Sequence, residues 1–271
     1  MGSETPGKVG AIMRKPTVSC SESESGRTPK DLKKLLNLSY LKYTNKTESA
    51  GIHDLPALSC NTSVLPDYIA LYNHPGDYRH TPFTAVAFYL YDNDFDGKDG
   101  LYNAIYYADE KRLQYFKKRF QGVKFFISPD MSQFGDVDDL ENHYRLKKSR
   151  VVSIWLAMEL GAIVIPHITF PTLESIDFAL DGLEDCSVVA FSTKGYVNDP
   201  VERSILEESV RYTVDRLNLK AIVVYDVCAG NDNALAIFEY AIDRGIEVVI
   251  PNNMLKARNA AKKSGGVANE K

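Results

Sequence analysis

The chain has 271 residues, 44% of them hydrophobic and 25% charged, with a formal net charge of −4. That length allows one large domain or two small ones, and the composition is that of a globular protein able to bury a sizeable core. The mild negative charge excludes a global field favouring nucleic acid or an acidic membrane surface, and no apolar run approaches the roughly 18 residues of a bilayer span.

Residues 1–30 are rich in Ser, Thr, Gly and Pro without an apolar period and read as disordered. Asp31–Leu38 spells a short basic amphipathic helix whose lysines suit a solvated face or a contact with a partner. The stretch from His53 through Tyr72 reads as loop with one short strand or helix. Regular alternation starts near Thr84. Strands are expected at Ala85–Tyr91, Val123–Ile127, Ile163–Ile168, Val188–Phe191, Ala221–Tyr225 and Ile246–Ile250. Helices are expected over Asp109–Phe120, between Val137 and Leu160, over Glu174–Leu180, from Pro200 to Leu217 and over Ala234–Arg244. Gly161 and Gly245 stop two of them, and Pro200 suits a first helical turn. The division expected is an arm over 1–50, a single α/β domain over 51–254 and a basic flexible tail over 255–271.

Strands alternating with helices require right-handed crossovers and hence a parallel sheet. Two α/β architectures fit: a barrel-like ring of βα units of TIM type, complete or incomplete, and an open doubly wound sheet. The strand ends favour the barrel, because each apolar run closes on polar residues suited to one mouth. These are Asp92 and Asp94; Ser128 and Asp130; His167 and Thr169; Ser192 to Lys194; Asp226; and Asn252 with Asn253. No G-x-G-x-x-G follows any strand, which removes the strongest sign of a dinucleotide fold.

Four matched stretches carry a resemblance: Ile127-Ser-Pro-Asp-Met-Ser132, Gly161-Ala-Ile-Val-Ile-Pro-His-Ile-Thr169, Ser175-Ile-Asp-Phe-Ala-Leu-Asp-Gly182 and Ser187-Val-Val-Ala-Phe-Ser-Thr-Lys-Gly195. With His53-Asp-Leu-Pro56 and Asn142-His-Tyr-Arg145 they span His53 to Asn253. In that order they resemble the domain of unknown function 4417 family of bacteria, their phages and mobile elements. The run from Arg145 to Gly161 is longer than in that family, and His167 and Phe170 stand where other residue types are expected. The resemblance implies the α/β fold and a microbial cytoplasmic setting, and supplies no activity.

The chemistry rests on a few constellations. Asp92-x-Asp94-x-Asp96-Gly97 spells the start of a calcium loop, with carboxylates at alternate positions and a Gly for the turn. Position 12 is Asn103 rather than Glu, so an acidic turn closing a strand competes with a divalent-metal site. Asp130 at a strand end suits a base, a nucleophile or a metal ligand, or else a local cap. His167 shares a face with Thr169 and is the second catalytic candidate. Ser192, Thr193 and Lys194 suit an anion, with Ser128, Asp226 and Asn252 completing the substrate ring. Cys20, Cys60, Cys186 and Cys228 form no CxxC pair, which suits a reducing cytosol and not a zinc knuckle. Lys111-Arg112, Lys117–Arg119 and Arg145–Arg150 fall on helices, as solvated faces or a nucleic-acid contact.

Two functions from different classes are expected. One is a βα enzyme acting at its strand ends on a small polar or phosphorylated, nucleotide-like molecule, with a divalent metal as candidate cofactor. The other is a non-catalytic accessory protein of a phage or mobile element that binds nucleic acid or a protein through its basic helices and tails. Neither involves a membrane.

Overall fold

The computed structural model describes Leu36 and residues 38–266. Most of the basic helix read at Asp31–Leu38 and most of the arm lie outside the described residues. From Ser39 on, the order begins with a one-turn helix α1 (Leu41–Thr44) and a small antiparallel pair, β1 (Ser49–Ala50) and β2 (Leu55–Pro56). The parallel part follows as β3 (Tyr68–Leu71), β4 (Thr84–Ala87), α2 (Asp92–Phe95), α3 (Leu101–Tyr106), α4 (Glu110–Arg119), β5 (Phe125–Ile127), α5 (Asp139–Leu160), β6 (Ile163–Ile165) and α6 (Ile176–Leu180). It continues with β7 (Val188–Ser192), α7 (Pro200–Arg216), β8 (Ala221–Tyr225), α8 (Asp232–Ile237), α9 (Glu239–Ile242), β9 (Glu247–Val249), β10 (Asn252–Asn253) and α10 (Met254–Gly266).

The expected α/β class with parallel pairing is present. One sheet runs β10-β3-β4-β5-β6 and another β7-β8-β9, with every neighbouring pair parallel. A single parallel bridge between His167 and Ala190 joins the end of β6 to β7. At the other extreme β9 pairs with β8, while β10, beyond only Ile250 and Pro251, pairs with β3. Among the described residues no helix is long and apolar enough to cross a membrane.

Strand parity explains the layers. Ile69 and Leu71, Ala85 and Ala87, Phe125 and Ile127, and Ile165 alternate along their strands and share one buried cluster with β7 and β8. The intervening residues Phe88 and Phe126 face an aromatic layer with Tyr72, Phe95 and Phe120. The long α5 starts where the Asp138 carboxylate accepts the Glu141 N–H at 3.0 Å and stops at Gly161, whose φ of 63° is left-handed. α7 starts on Pro200 with Asp199 accepting from Val201 N at 2.8 Å. Trp155 of α5 is fully buried.

Several boundaries differ from expectation. The strand read over Ala85–Tyr91 ends at Ala87, and β5, β6 and β9 are shorter than their apolar runs. Tyr68–Leu71, ambiguous in sequence, is a fully paired strand. The helix read at Ala234–Arg244 is broken at Phe238 into α8 and α9. α10 fills much of the stretch read as tail, and its Lys256 is buried.

Gly182 fixes how the β1–β2 hairpin seats on the domain. Its φ is +75°, its carbonyl accepts Leu58 N–H at 2.9 Å, and an added Cβ would stand 2.9 Å from Ala57 Cα. Gly182→Ala combines left-handed strain with backbone overlap, so a stability loss of about 1–3 kcal/mol is expected by urea unfolding. An unchanged midpoint would mean that the hairpin moves away freely.

Candidate functional site

The C-terminal ends of β5, β6 and β7 open on a cleft of about 460 Å³ whose lining includes Tyr89, Asp130, His167, Thr169, Ser192 and Lys194. Tyr91, Asp94, Phe170 and Tyr196 line it as well. Asp130 follows β5 by three residues, His167 follows β6 by two, and Lys194 follows β7 by two. The parallel register of these strands brings the three side chains to one place.

Asp130 Oδ1 lies 3.5 Å from His167 Nε2, and His167 Nδ1 lies 3.2 Å from the Tyr89 hydroxyl. Both imidazole nitrogens therefore face partners, and the His167 side chain is only 6% exposed against 32% for Asp130. Burial works to raise the Asp130 pKa, but His167, a bond from Thr169 and the field of Lys194 outweigh it and hold the carboxyl below the ordinary aspartate range. Tyr89 moves the other way: its burial, then the Asp130 field and Tyr225, push the phenol well above the ordinary tyrosine range. Tyr89 stacks on Tyr225 at 4.6 Å and meets the His167 ring edge-on at 5.0 Å. Its backbone carbonyl accepts the Lys194 ammonium at 3.2 Å.

The other predicted residues take distinct places. The Ser128 hydroxyl accepts the His167 backbone N–H at 2.7 Å, so it clamps the β5 and β6 ends together beneath the cleft. Ser192 lines the cleft, and its hydroxyl accepts the Lys194 backbone N–H at 3.2 Å. The Thr193 side chain turns inward and donates to Asp226 Oδ1 at 2.6 Å. Asp226 is fully buried, with Lys256 Nζ of α10 at 3.4 Å from its other oxygen. Lys256 Nζ also donates to Asn231, while Asn253 donates to the Asp226 carbonyl at 2.7 Å. Asn252 is exposed and lies on a different groove with Asp67, Tyr68, His80 and Arg258. Of the adjacent pair it is Asn253 that turns inward.

The acidic run does not form an open loop, because Asp92–Phe95 is the helical turn α2. Asp92 accepts from Ser132 N and Oγ at 3.1 and 2.9 Å and pairs with Arg145 at 2.8 Å. Asp96 pairs with Lys148, whereas Asp94 reaches the cleft. Among the described residues no group of three His, Cys, Asp or Glu side chains is disposed to hold a metal ion.

Many cations of the basic helices face inward or are paired. Arg150 is buried and donates to the carbonyls of Ala179 and Asp181. Arg119 lies 4.4 Å over the Tyr72 ring, Lys117 pairs with Glu159 at 2.6 Å, and Arg112 pairs with Asp99. Tyr89 escaped the sequence reading. The signal was its parity with Ala85 and Ala87, whose small side chains leave room on the inner face.

Residues 47–251 match the family described as "Domain of unknown function (DUF4417)". The chain is also 26% identical over 180 residues to the "Gene 1 protein" of Mycobacterium phage L5, covering 66% of this chain and 73% of that protein. It is 24% identical over 182 residues to the "Gene 1 protein" of Mycobacterium phage D29, covering 65% of this chain and 62% of that protein.

Proposed function

The chain belongs to the DUF4417 family of domains of unknown function, and from that premise we propose that it is an enzyme acting in the cleft at the ends of β5, β6 and β7. The substrate proposed is a small polar or phosphorylated, nucleotide-like molecule. The observation that carries this reading is Asp130, a carboxylate favoured in its ionised form by His167, Thr169 and Lys194 and still open to the cleft. Asp130 takes the role of proton acceptor or nucleophile. His167 orients it, and Lys194 neutralises an anionic group of the ligand. Ser192 shapes the Lys194 turn, and Asp226 supports it from behind through Thr193. A divalent ion would enter with the ligand's phosphates, near Asp94 and Asp130, rather than sit in a protein cage.

We read the two parallel sheets as one barrel-like ring, which would give the strand ends a shared mouth. Paired residues run Ile69, Ala85, Phe125, Ile163 across β3 to β6, then His167, Ala190, Val223, Val249 from the end of β6 to β9. Asn253, on the same strand line as Val249, pairs with Ile69 again. The path climbs from 163 to 167 and from 249 to 253, a stagger of about eight residues, the shear of a small parallel barrel. The alternative, an accessory protein gripping nucleic acid through its helices, has less support because so many of those cations serve internal contacts.

The test is thermal shift of the full chain against nucleotides, sugar phosphates and free bases, with and without magnesium. A ligand at a hundredfold its Kd adds about 2.7 kcal/mol to stability. The expected result is a ligand that raises Tm in the wild type and loses most of that effect in Lys194→Met. A panel without any stabilising compound, or an effect indifferent to Lys194→Met, would overturn the reading.

A further inference from the structure

We infer that Tyr89 is a positioning residue that fixes His167 as its Nε2–H tautomer, making the imidazole a donor to Asp130 and leaving Asp130 as the proton acceptor of the cleft. The inference rests on the proposed function for its catalytic meaning, whereas the tautomer is a property of the protein alone. Its first ground is a satisfiability argument. The Tyr89 hydroxyl is buried, and its hydrogen-bonding contact is His167 Nδ1 at 3.2 Å. A buried O–H without an acceptor is costly, so Nδ1 must present its lone pair. The opposite nitrogen, Nε2, faces Asp130 Oδ1 at 3.5 Å. A carboxylate is an acceptor only, so Nε2 must carry the proton. One tautomer meets both demands. The Nδ1–H tautomer sets a lone pair against a carboxylate, and an imidazolium leaves the Tyr89 proton without its acceptor.

The second ground is how firmly Tyr89 itself is held. Its ring stacks on Tyr225 at 4.6 Å with an interplanar angle of 18°. Its carbonyl accepts the Lys194 ammonium at 3.2 Å. One residue thus orients the His167 arm through its side chain and the Lys194 arm through its backbone. Burial, the Asp130 field and Tyr225 raise the pKa of the phenol, which favours keeping its proton.

The test uses the full chain with its five histidines labelled with nitrogen-15. His167→Gln assigns the signals by difference, and Tyr89→Phe removes the hydroxyl while keeping the ring and the carbonyl. In the wild type at neutral pH, His167 is expected to give a hydrogen-bonded pyridine-type Nδ1 and a pyrrole-type Nε2. In Tyr89→Phe the Nδ1 signal should move to that of an unbonded pyridine-type nitrogen, a change that a purely space-filling Tyr89 would not produce. A wild-type His167 protonated on Nδ1, or a spectrum indifferent to Tyr89→Phe, overturns the inference. Should the variant fail to fold, the wild-type tautomer alone still decides. A wrong tautomer with ligand stabilisation intact removes this inference and leaves the proposed function standing. The expected tautomer with no ligand effect does the reverse.

Discussion

Lys256→Met is expected to be among the most damaging single substitutions in the described chain, lowering stability by about 3–5 kcal/mol. Lys256 Nζ is the cation beside Asp226, which has no exposed surface. The methionine keeps most of the stem and deletes the charge. Thr193 still donates to one Asp226 oxygen at 2.6 Å, but the other would face a buried thioether. A buried ion pair adds little net stability, because desolvation offsets its attraction, yet removing one member strands the other. Urea unfolding and thermal scans should agree, with Tm falling on the order of 10 °C. The decisive comparison is the double variant Asp226→Asn with Lys256→Met, which should recover much of the loss because the stranded charge is gone. A single variant as stable as wild type would mean that Asp226 finds water or another cation.

Asp130→Asn is expected to act on function instead. The amide keeps the shape and an acceptor oxygen for His167 Nε2, so stability should change by about 1 kcal/mol or less. Ligand-dependent stabilisation and turnover should fall by at least about a hundredfold, the usual scale for a missing acid–base group. Acid sharpens the distinction. The Asp130 pKa is depressed in the folded chain, so its ionised form contributes stability above the unfolded value and loses it as pH falls through the folded one. Wild type and variant should therefore differ in ligand response from neutral pH down to about 4 and converge only below that. The stability part of that difference is small, since about a third of the side chain meets solvent. A destabilised variant that still responds to ligand would make Asp130 a local cap and nothing more.

The parallel α/β order was legible because β5, β7 and β8 are short apolar runs that end abruptly on Ser or Asp. The cleft was half legible. Asp130, His167 and Lys194 stand just past strand ends, where parallel sheets deliver side chains to one rim. Asp226 sits at an equivalent position and is sealed instead, for a reason that no local pattern states. Its partner Lys256 belongs to a basic, alanine-rich stretch with the composition of a solvated tail. The acidic run shows the same limit from the other side. Its spelling suits a cation loop, yet Arg145 and Lys148 of α5 bind Asp92 and Asp96 and leave α2 as a helical turn. Composition and period describe how a segment meets solvent on average. They do not name the distant charge that draws one side chain inward.

The split between β9 and β10 bears on how the chain comes off the ribosome. Pairing of Asn252 with Tyr68 and of Asn253 with Ile69 joins the last strand segment to the first parallel one, across nearly the whole described sequence. Until residues 252 and 253 leave the exit tunnel, β3 keeps an unpaired edge on the side away from β4. Such an edge invites strand addition from another nascent chain, and so long-range a pairing is slow to form. Any pause between the emergence of β3 and that of residues 252 and 253 therefore lengthens the period of risk.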